Sequence, residues 1–245
     1  MNRFDEFLVG YEPGQLEETR KVQTVGSDLS ELMRKYELVL DDSDLLFGAA
    51  WKDFIYHNQK ITEFLTQAEI NSFLQTTKQY EDYPNYNWNT GMFLSCLIQI
   101  SYNHGYNHFF LDTKNVSTIS GLAAFIIGQE QKPIHITIHG NVGNSLGNCA
   151  QHSIFTLNGS ALEMCGFGAY KSIFTFNGGI GHNFGLRADL STFILNDIVA
   201  ETFVDKAFSC TFKTSKLEYI EKLKKNIPKG NTLIYIDNGK EARIV

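Results

Sequence analysis

The chain predicts a mainly β fold: a parallel β-solenoid with a single strand per turn, preceded by an α-helical region and followed by a helix and a β-hairpin. Three observations predict it. A nineteen-residue repeat runs from Asn115 without a gap. Its apolar residues alternate over a strand-length segment. Glycine recurs at two fixed places in most repeats, and internal repeats of short period mark stacked architectures.

Written in blocks, the repeat reads NVSTISGLAAFIIGQEQKP, IHITIHGNVGNSLGNCAQH, SIFTLNGSALEMCGFGAYK, SIFTFNGGIGHNFGLRADL and STFILNDIVAETFVDKAFS, and a sixth block opens with CTFKTS at Cys210. The third column is Ser117, Ile136, Phe155, Phe174, Phe193, Phe212, and the fifth is Ile119, Ile138, Leu157, Phe176, Leu195, Thr214. The seventh is Gly121, Gly140, Gly159, Gly178, Asp197, and the fourteenth is Gly128, Gly147, Gly166, Gly185, Val204. The period is too short for helix-pair repeats and lacks the LxxLxL pattern of leucine-rich ones. One strand per block, near 116–119, 135–138, 154–157, 173–176 and 192–195, stacks like on like at about 4.8 Å. Columns three and five then point inward as apolar ladders. Asn158, Asn177 and Asn196 can form an amide ladder, each donating to one turn and accepting from another. The glycine that follows serves a bend, through positive φ or close backbone approach. Ala150, Ala169, Ala188 and Ala207 supply small inward side chains.

The flanks differ in character. Residues 115–215 hold 11 of the chain's 48 charged residues and 12 of its 20 glycines. Before them, residues 1–110 read as helical. Ser27-Asp28 precedes LSELMRKYELVL as an N-cap signal, the run from Leu45 to Leu65 continues the pattern, and Thr66 with Glu69 forms a capping box for the next helix. Tyr80 to Asn89 reads as a polar aromatic loop, GMFLSCLIQISYN as an apolar helix, and HFFLDT as the first extended segment. After the solenoid (111–215), residues 216–245 form a cap: KLEYIEKLKKN is an amphipathic helix, and a hairpin turns at Asn238-Gly239. The end turns of a solenoid require such covers.

Composition narrows the function classes. With 245 residues, 43% hydrophobic and 20% charged, the chain builds a substantial core. A net charge of −6 argues against nucleic acid. The lack of an 18-residue apolar run argues against a membrane span. The acidic opening MNRFDEFLVGYEPGQ lacks the order of a signal peptide. Cys96, Cys149, Cys165 and Cys210 have no framework spacing, which points to reduced thiols and a cytoplasmic location.

Gly140, Gly143 and Gly147, and again Gly178, Gly181 and Gly185, make a GxxGxxxG pattern. Over residues 115–215 this resembles the right-handed β-helix at the C-terminus of the glutamate synthase large subunit, a repeat also shared by formylmethanofuran dehydrogenase in one of its subunits. Ala124 and Leu162 replace the middle glycine in two blocks, and Asp197, Ala200 and Val204 replace all three in the fifth. The resemblance implies a structural docking module without catalytic residues or a cofactor. Residues 1–110 do not resemble the glutaminase, flavin or iron–sulfur parts of glutamate synthase.

Two constellations carry possible chemistry. Column eleven reads Phe125, Asn144, Glu163, His182, Glu201. Carboxylate, imidazole and carboxylate on successive turns suit acid–base work or a divalent metal, and equally a solvated charged face. His104 and His108 have the spacing of a helical metal pair, although Gly105 favours a helix stop there. The cysteines read as small apolar fillers. The outward columns two and four are more informative: Val116/Thr118, His135/Thr137, Ile154/Thr156, Ile173/Thr175 and Thr192/Ile194, with no formal charge before Lys213. An apolar face of this kind calls for a cover, supplied by the N-terminal helices, a protein partner or a second copy meeting Val116, Ile154, Ile173 and Ile194. Tyr80, Tyr83, Tyr86 and Trp88 form either a ligand surface or a loop docked on the protein. The expected function is a non-catalytic scaffold. The alternative is an enzyme or binding protein for a saccharide or divalent metal at Glu163, His182 and Glu201.

Overall fold

The structure is a computed structural model and describes residues 28–41, 61–197 and 206–245. One eight-stranded sheet runs in chain order: β1 (His108–Asp112), β2 (Ile134–His139), β3 (Ser153–Asn158), β4 (Ile173–Phe176), β5 (Thr192–Leu195), β6 (Thr211–Thr214), β7 (Thr232–Asp237) and β8 (Lys240–Arg243). The first seven are parallel and β8 is antiparallel to β7. Each strand pairs with the next in sequence, which is the topology of a β-solenoid with one strand per turn. From β2 to β6 the register steps by nineteen residues, as in Ile136↔Phe155, Phe155↔Phe174, Phe174↔Phe193 and Phe193↔Phe212.

The interior is built from ladders. Phe155 and Phe174 stack with centroids 4.5 Å apart, Phe174 and Phe193 at 5.2 Å, and Phe193 and Phe212 at 5.3 Å, all fully buried. Outside the bend, Asn177 Nδ2 donates to Asn158 Oδ1 at 2.7 Å and Asn196 Nδ2 to Asn177 Oδ1 at 2.8 Å. Two further lines of parallel bridges complete each turn: Val142, Ala161, Ile180, and Ile127, Gln151, Tyr170, Asp189, Phe208. A serine ladder lies buried at the start of the strands, where the backbone N–H of Ser153 donates to Ser172 Oγ and that of Ser172 to Ser191 Oγ. The two glycine columns have different causes. Gly178 has ordinary φ, but a Cβ there would lie 2.4 Å from the Gly159 carbonyl oxygen. Gly166 has φ +66, and its Cβ would lie 2.7 Å from the Phe193 ring.

The first turn departs from the gapless repeat. No strand forms at 116–119. β1 takes that role, with His108 opposite His135, 27 residues on, and Ile127 bridges Gln151, 24 residues on. The positive-φ positions obey the longer spacing: Gly121, Ala123 and Phe125 match Ser145, Gly147 and Cys149. Gly121 and Gly128 therefore fall into the glycine columns by spacing alone. Extra chain near 114–118 and a tight turn at 129–132, closed by Gln129 and Lys132, account for the added length. Val116 consequently leaves the sheet face, and His108 and Phe110 occupy its outward places.

Both ends are covered. Helices α1 (Asp28–Leu40), α2 (Gln67–Thr76) and α3 (Tyr86–Asn103) close the first turn. The Thr66–Glu69 capping box opens α2. The outer edge of β1 is paired by side chains: the Asp112 N–H donates to Asn71 Oδ1 at 2.8 Å, and Gln75 Nε2 donates to the Asp112 carbonyl at 2.7 Å. α3 is buried along nearly its whole length. Its Ser95 hydroxyl donates to the Gly121 carbonyl, and Gln99 Oε1 accepts from the Ile127 N–H. The aromatic segment is no loop after Tyr86; it is the first turn of α3. At the other end, α4 (Leu217–Asn226) buries Ile220 and Leu223. β7 joins the solenoid sheet before turning at Asn238 and Gly239, both at positive φ. The helix expected over 45–65 lies largely outside the described residues, and 61–66 are not helical.

Candidate functional site

The outward face of β2–β5 is the surface that the repeat itself builds. Because strand residues alternate, the buried columns leave His135, Thr137, Ile154, Thr156, Ile173, Thr175, Thr192 and Ile194 outside. None carries a formal charge apart from any proton on His135. The first charged side chain along columns two and four is Lys213 of β6, and Glu241 of β8 neutralises it at 2.5 Å. The described helices meet the sheet chiefly at its two ends, α2 at β1 and α4 at β6 and β7. Ile173 stays 37% exposed.

Histidines mark the N-terminal end of this face. The His108 and His135 rings stack 4.3 Å apart, and His139 lies against Phe110 at 4.9 Å. Burial pushes the His135 imidazole down to about 4, helped by the neighbouring His108, and burial also lowers His108. Both rings are therefore neutral at physiological pH, so columns two and four carry no charge at this end; the carboxylate of Asp112, the last residue of β1, alternates to the same side.

A groove of about 410 Å³ borders the face, lined by Ile154, Ile173, Leu190, His152 and Lys171, with Glu130 and Pro133 as its wall. The wall comes from the extra chain of the first turn. Lys171 reaches Glu130 at 3.5 Å. His152, Lys171 and Leu190 all sit at positive φ, at 46, 47 and 50°. Left-handed backbone here turns each side chain outward at the corner that leads into the strand.

The candidate chemical residues are dispersed. Glu163 and His182 are exposed at neighbouring corners, and the backbone beside them is stitched by Met164 N–H donating to the His182 carbonyl and Glu163 N–H donating to Asn144 Oδ1. Glu201 lies outside the described residues. His104 stacks on Phe64 at 4.5 Å, with its Nδ1 2.9 Å from the Ile100 carbonyl, whereas His108 stacks on His135. The two therefore face different neighbours and form no pair. Among the described residues no three His, Cys, Asp or Glu side chains gather at a metal-holding distance, and no helix is long and apolar enough to cross a membrane. All four cysteines are free thiols. Burial pushes Cys165 up to about 12 and raises Cys96, Cys149 and Cys210, which makes them poor nucleophiles. The aromatic segment docks inward: Tyr80 donates to Glu37 at 2.6 Å and the Tyr86 hydroxyl meets Thr77 at 2.8 Å.

Sequence reasoning found the face but missed the His108–His135 stack and the groove. The alternation in HFFL was the available signal for the first. The second arises from an insertion that equal spacing conceals. No family model, curated protein or solved structure matches this chain.

Proposed function

We propose that the chain is a non-catalytic docking protein that uses the outward face of β2–β5 as its interface. The carrying observation is a face of isoleucine, threonine and neutral histidine, with Ile173 left exposed and the main helix contacts at the sheet's two ends, on a chain whose remaining surface is well charged. Sheets commonly leave one face to solvent, but such faces carry polar and charged residues. The exposed placement of Glu163 and His182 and the raised cysteine pKa values fit a scaffold better than an enzyme. The glycine pattern's resemblance to the β-helix of glutamate synthase agrees with a docking role. Free thiols throughout agree with a cytoplasmic location.

The test is affinity purification of wild type and the Ile154→Glu/Ile173→Glu variant from the source cell, with circular dichroism to verify the fold of both. The expected result is a protein, foreign or a second copy, that wild type retains at least about tenfold better than the variant. Equal recovery by both would overturn the proposal.

A further inference from the structure

We propose that the occupant of this face is a second copy of the chain, packed face to face with the two solenoid axes antiparallel. The inference rests on the docking reading above and adds the partner and its geometry.

Charge distribution favours this partner. The described side chains up to Glu130 include nine acidic and four basic ones, whereas those of 206–245 include four acidic and nine basic ones. One end of the rod is therefore acidic and the other basic, with an uncharged face between them. Antiparallel pairing sets each acidic end beside the partner's basic end and lays the uncharged faces together. Parallel pairing sets like ends together, which repels. End-on stacking would also satisfy the charges, but helices cover one end. At the other, β8 presents Lys240, Glu241 and Arg243 in a fully exposed strand, and charged edges of this kind resist strand addition.

Geometry agrees. A two-fold axis along the strands reverses the order of turns and leaves the columns aligned. The strands of the two sheets then run within about 30° of each other, the usual angle for packed sheets. The groove border of one copy meets that of the other. Leu190, 48% exposed at one end of the groove, comes opposite the end walled by Glu130 and Pro133. β4, the middle of the seven parallel strands, falls on the axis. The four strands β2–β5, spaced by about 4.8 Å and four to six residues long, give roughly 300 Å² per copy. With the groove border the pair buries about 800 Å², the size of a weak, reversible contact rather than of an obligate dimer. The closed two-fold arrangement implies a dimer that stops at two, of roughly micromolar affinity.

Sedimentation velocity on the full chain, from about 1 to 200 µM, tests this. Wild type should reach twice the 27.8 kDa chain mass and no more, with an affinity that weakens as salt rises. Ile173→Lys should weaken dimerisation by at least about tenfold. Lys213 already occupies an outward position on the same sheet, so a lysine there is compatible with the fold. Under mild oxidation Thr175→Cys should cross-link to its own copy, and Ser160→Cys, exposed on another side, should not. A monomer at every concentration overturns the proposal. So does mass that grows without limit, or a dimer that ignores Ile173→Lys and cross-links through Ser160→Cys. If the chain is monomeric but Ile173→Lys loses a foreign protein that wild type retains, self-pairing fails and the docking reading stands. If neither association occurs, both fail.

Discussion

Phe174 has a ring above it and a ring below it, at 4.5 and 5.2 Å, held by strands whose spacing cannot contract. Phe174→Ala therefore leaves a cavity that does not collapse, and denaturant unfolding should show a loss of about 3–5 kcal/mol. Gly166 makes a second, sharper case. Ala123 occupies the matching place in the first turn at φ +54, so left-handed backbone alone does not demand glycine. The Phe193 ring 2.7 Å from a Gly166 Cβ does. Gly166→Ala should cost more than about 1 kcal/mol in the same measurement, the strain of φ adding to the clash. His135 makes stability depend on pH. Its folded pKa, about 4, lies below the usual value, so the fold favours the neutral ring. Above about pH 6.5 both folded and unfolded chains hold it neutral. As pH falls from there toward 4 the unfolded chain gains the proton first, and stability is lost through that window. His108 adds in the same direction, stacked on His135 and lowered by burial. Melting curves for wild type and His135→Phe should converge in shape above pH 7, and wild type should fall more steeply between pH 6 and 4.5.

At the scale of elements, the strands from β2 to β6 were legible because each column keeps one job from turn to turn. A phenylalanine above a phenylalanine can be seen without coordinates. The first turn was not legible in this way. Gly121 and Gly128 are seven residues apart, as are Gly140 and Gly147, and that coincidence pulled the block into line. The alternation in HFFLD was the truer signal, since a strand needs in-and-out residues more than it needs a fixed distance from the next. The serine ladder was hidden for another reason: Ser153, Ser172 and Ser191 look like turn residues, and the burial of Ser172 and Ser191 follows only once Ala150 and Ala169 offer carbonyls to their hydroxyls. Of the candidate site, the uncharged face was legible from columns two and four. The groove was not, because its wall stands outside the repeat. The edge of β1 shows how a helix ends a solenoid. Asn71 and Gln75, one turn apart on α2, give Asp112 the donor and acceptor that a missing strand would have given. Asn71→Ala/Gln75→Ala should cost about 1–3 kcal/mol, and native-state hydrogen exchange should show the Asp112 amide losing protection before the amides of β3.

The described solenoid is a one-dimensional stack, in which each turn packs mainly on its neighbours and the Lys171–Glu130 pair spans two. Two properties follow for the chain between β2 and β6. Any register step of nineteen residues returns every column to its own place, and a step one residue longer or shorter moves apolar columns to the surface and polar ones to the core. Deleting 154–172 joins Ser153 to Ile173 and preserves the order of columns, so that Phe174 stacks on Ile136. Deleting 155–172 is one residue short of a turn. It places Ile173 in the inward column and turns Phe174 and Phe176 outward against water. The first variant should fold, with a native-like β spectrum and a single cooperative melting transition below that of wild type, because one interface between turns is gone. The second should lose cooperative melting although it keeps one more residue. If both variants melt alike, the columns do not govern the fold. If only the shorter chain melts cooperatively, the phase of the repeat outweighs the amount of core that is retained.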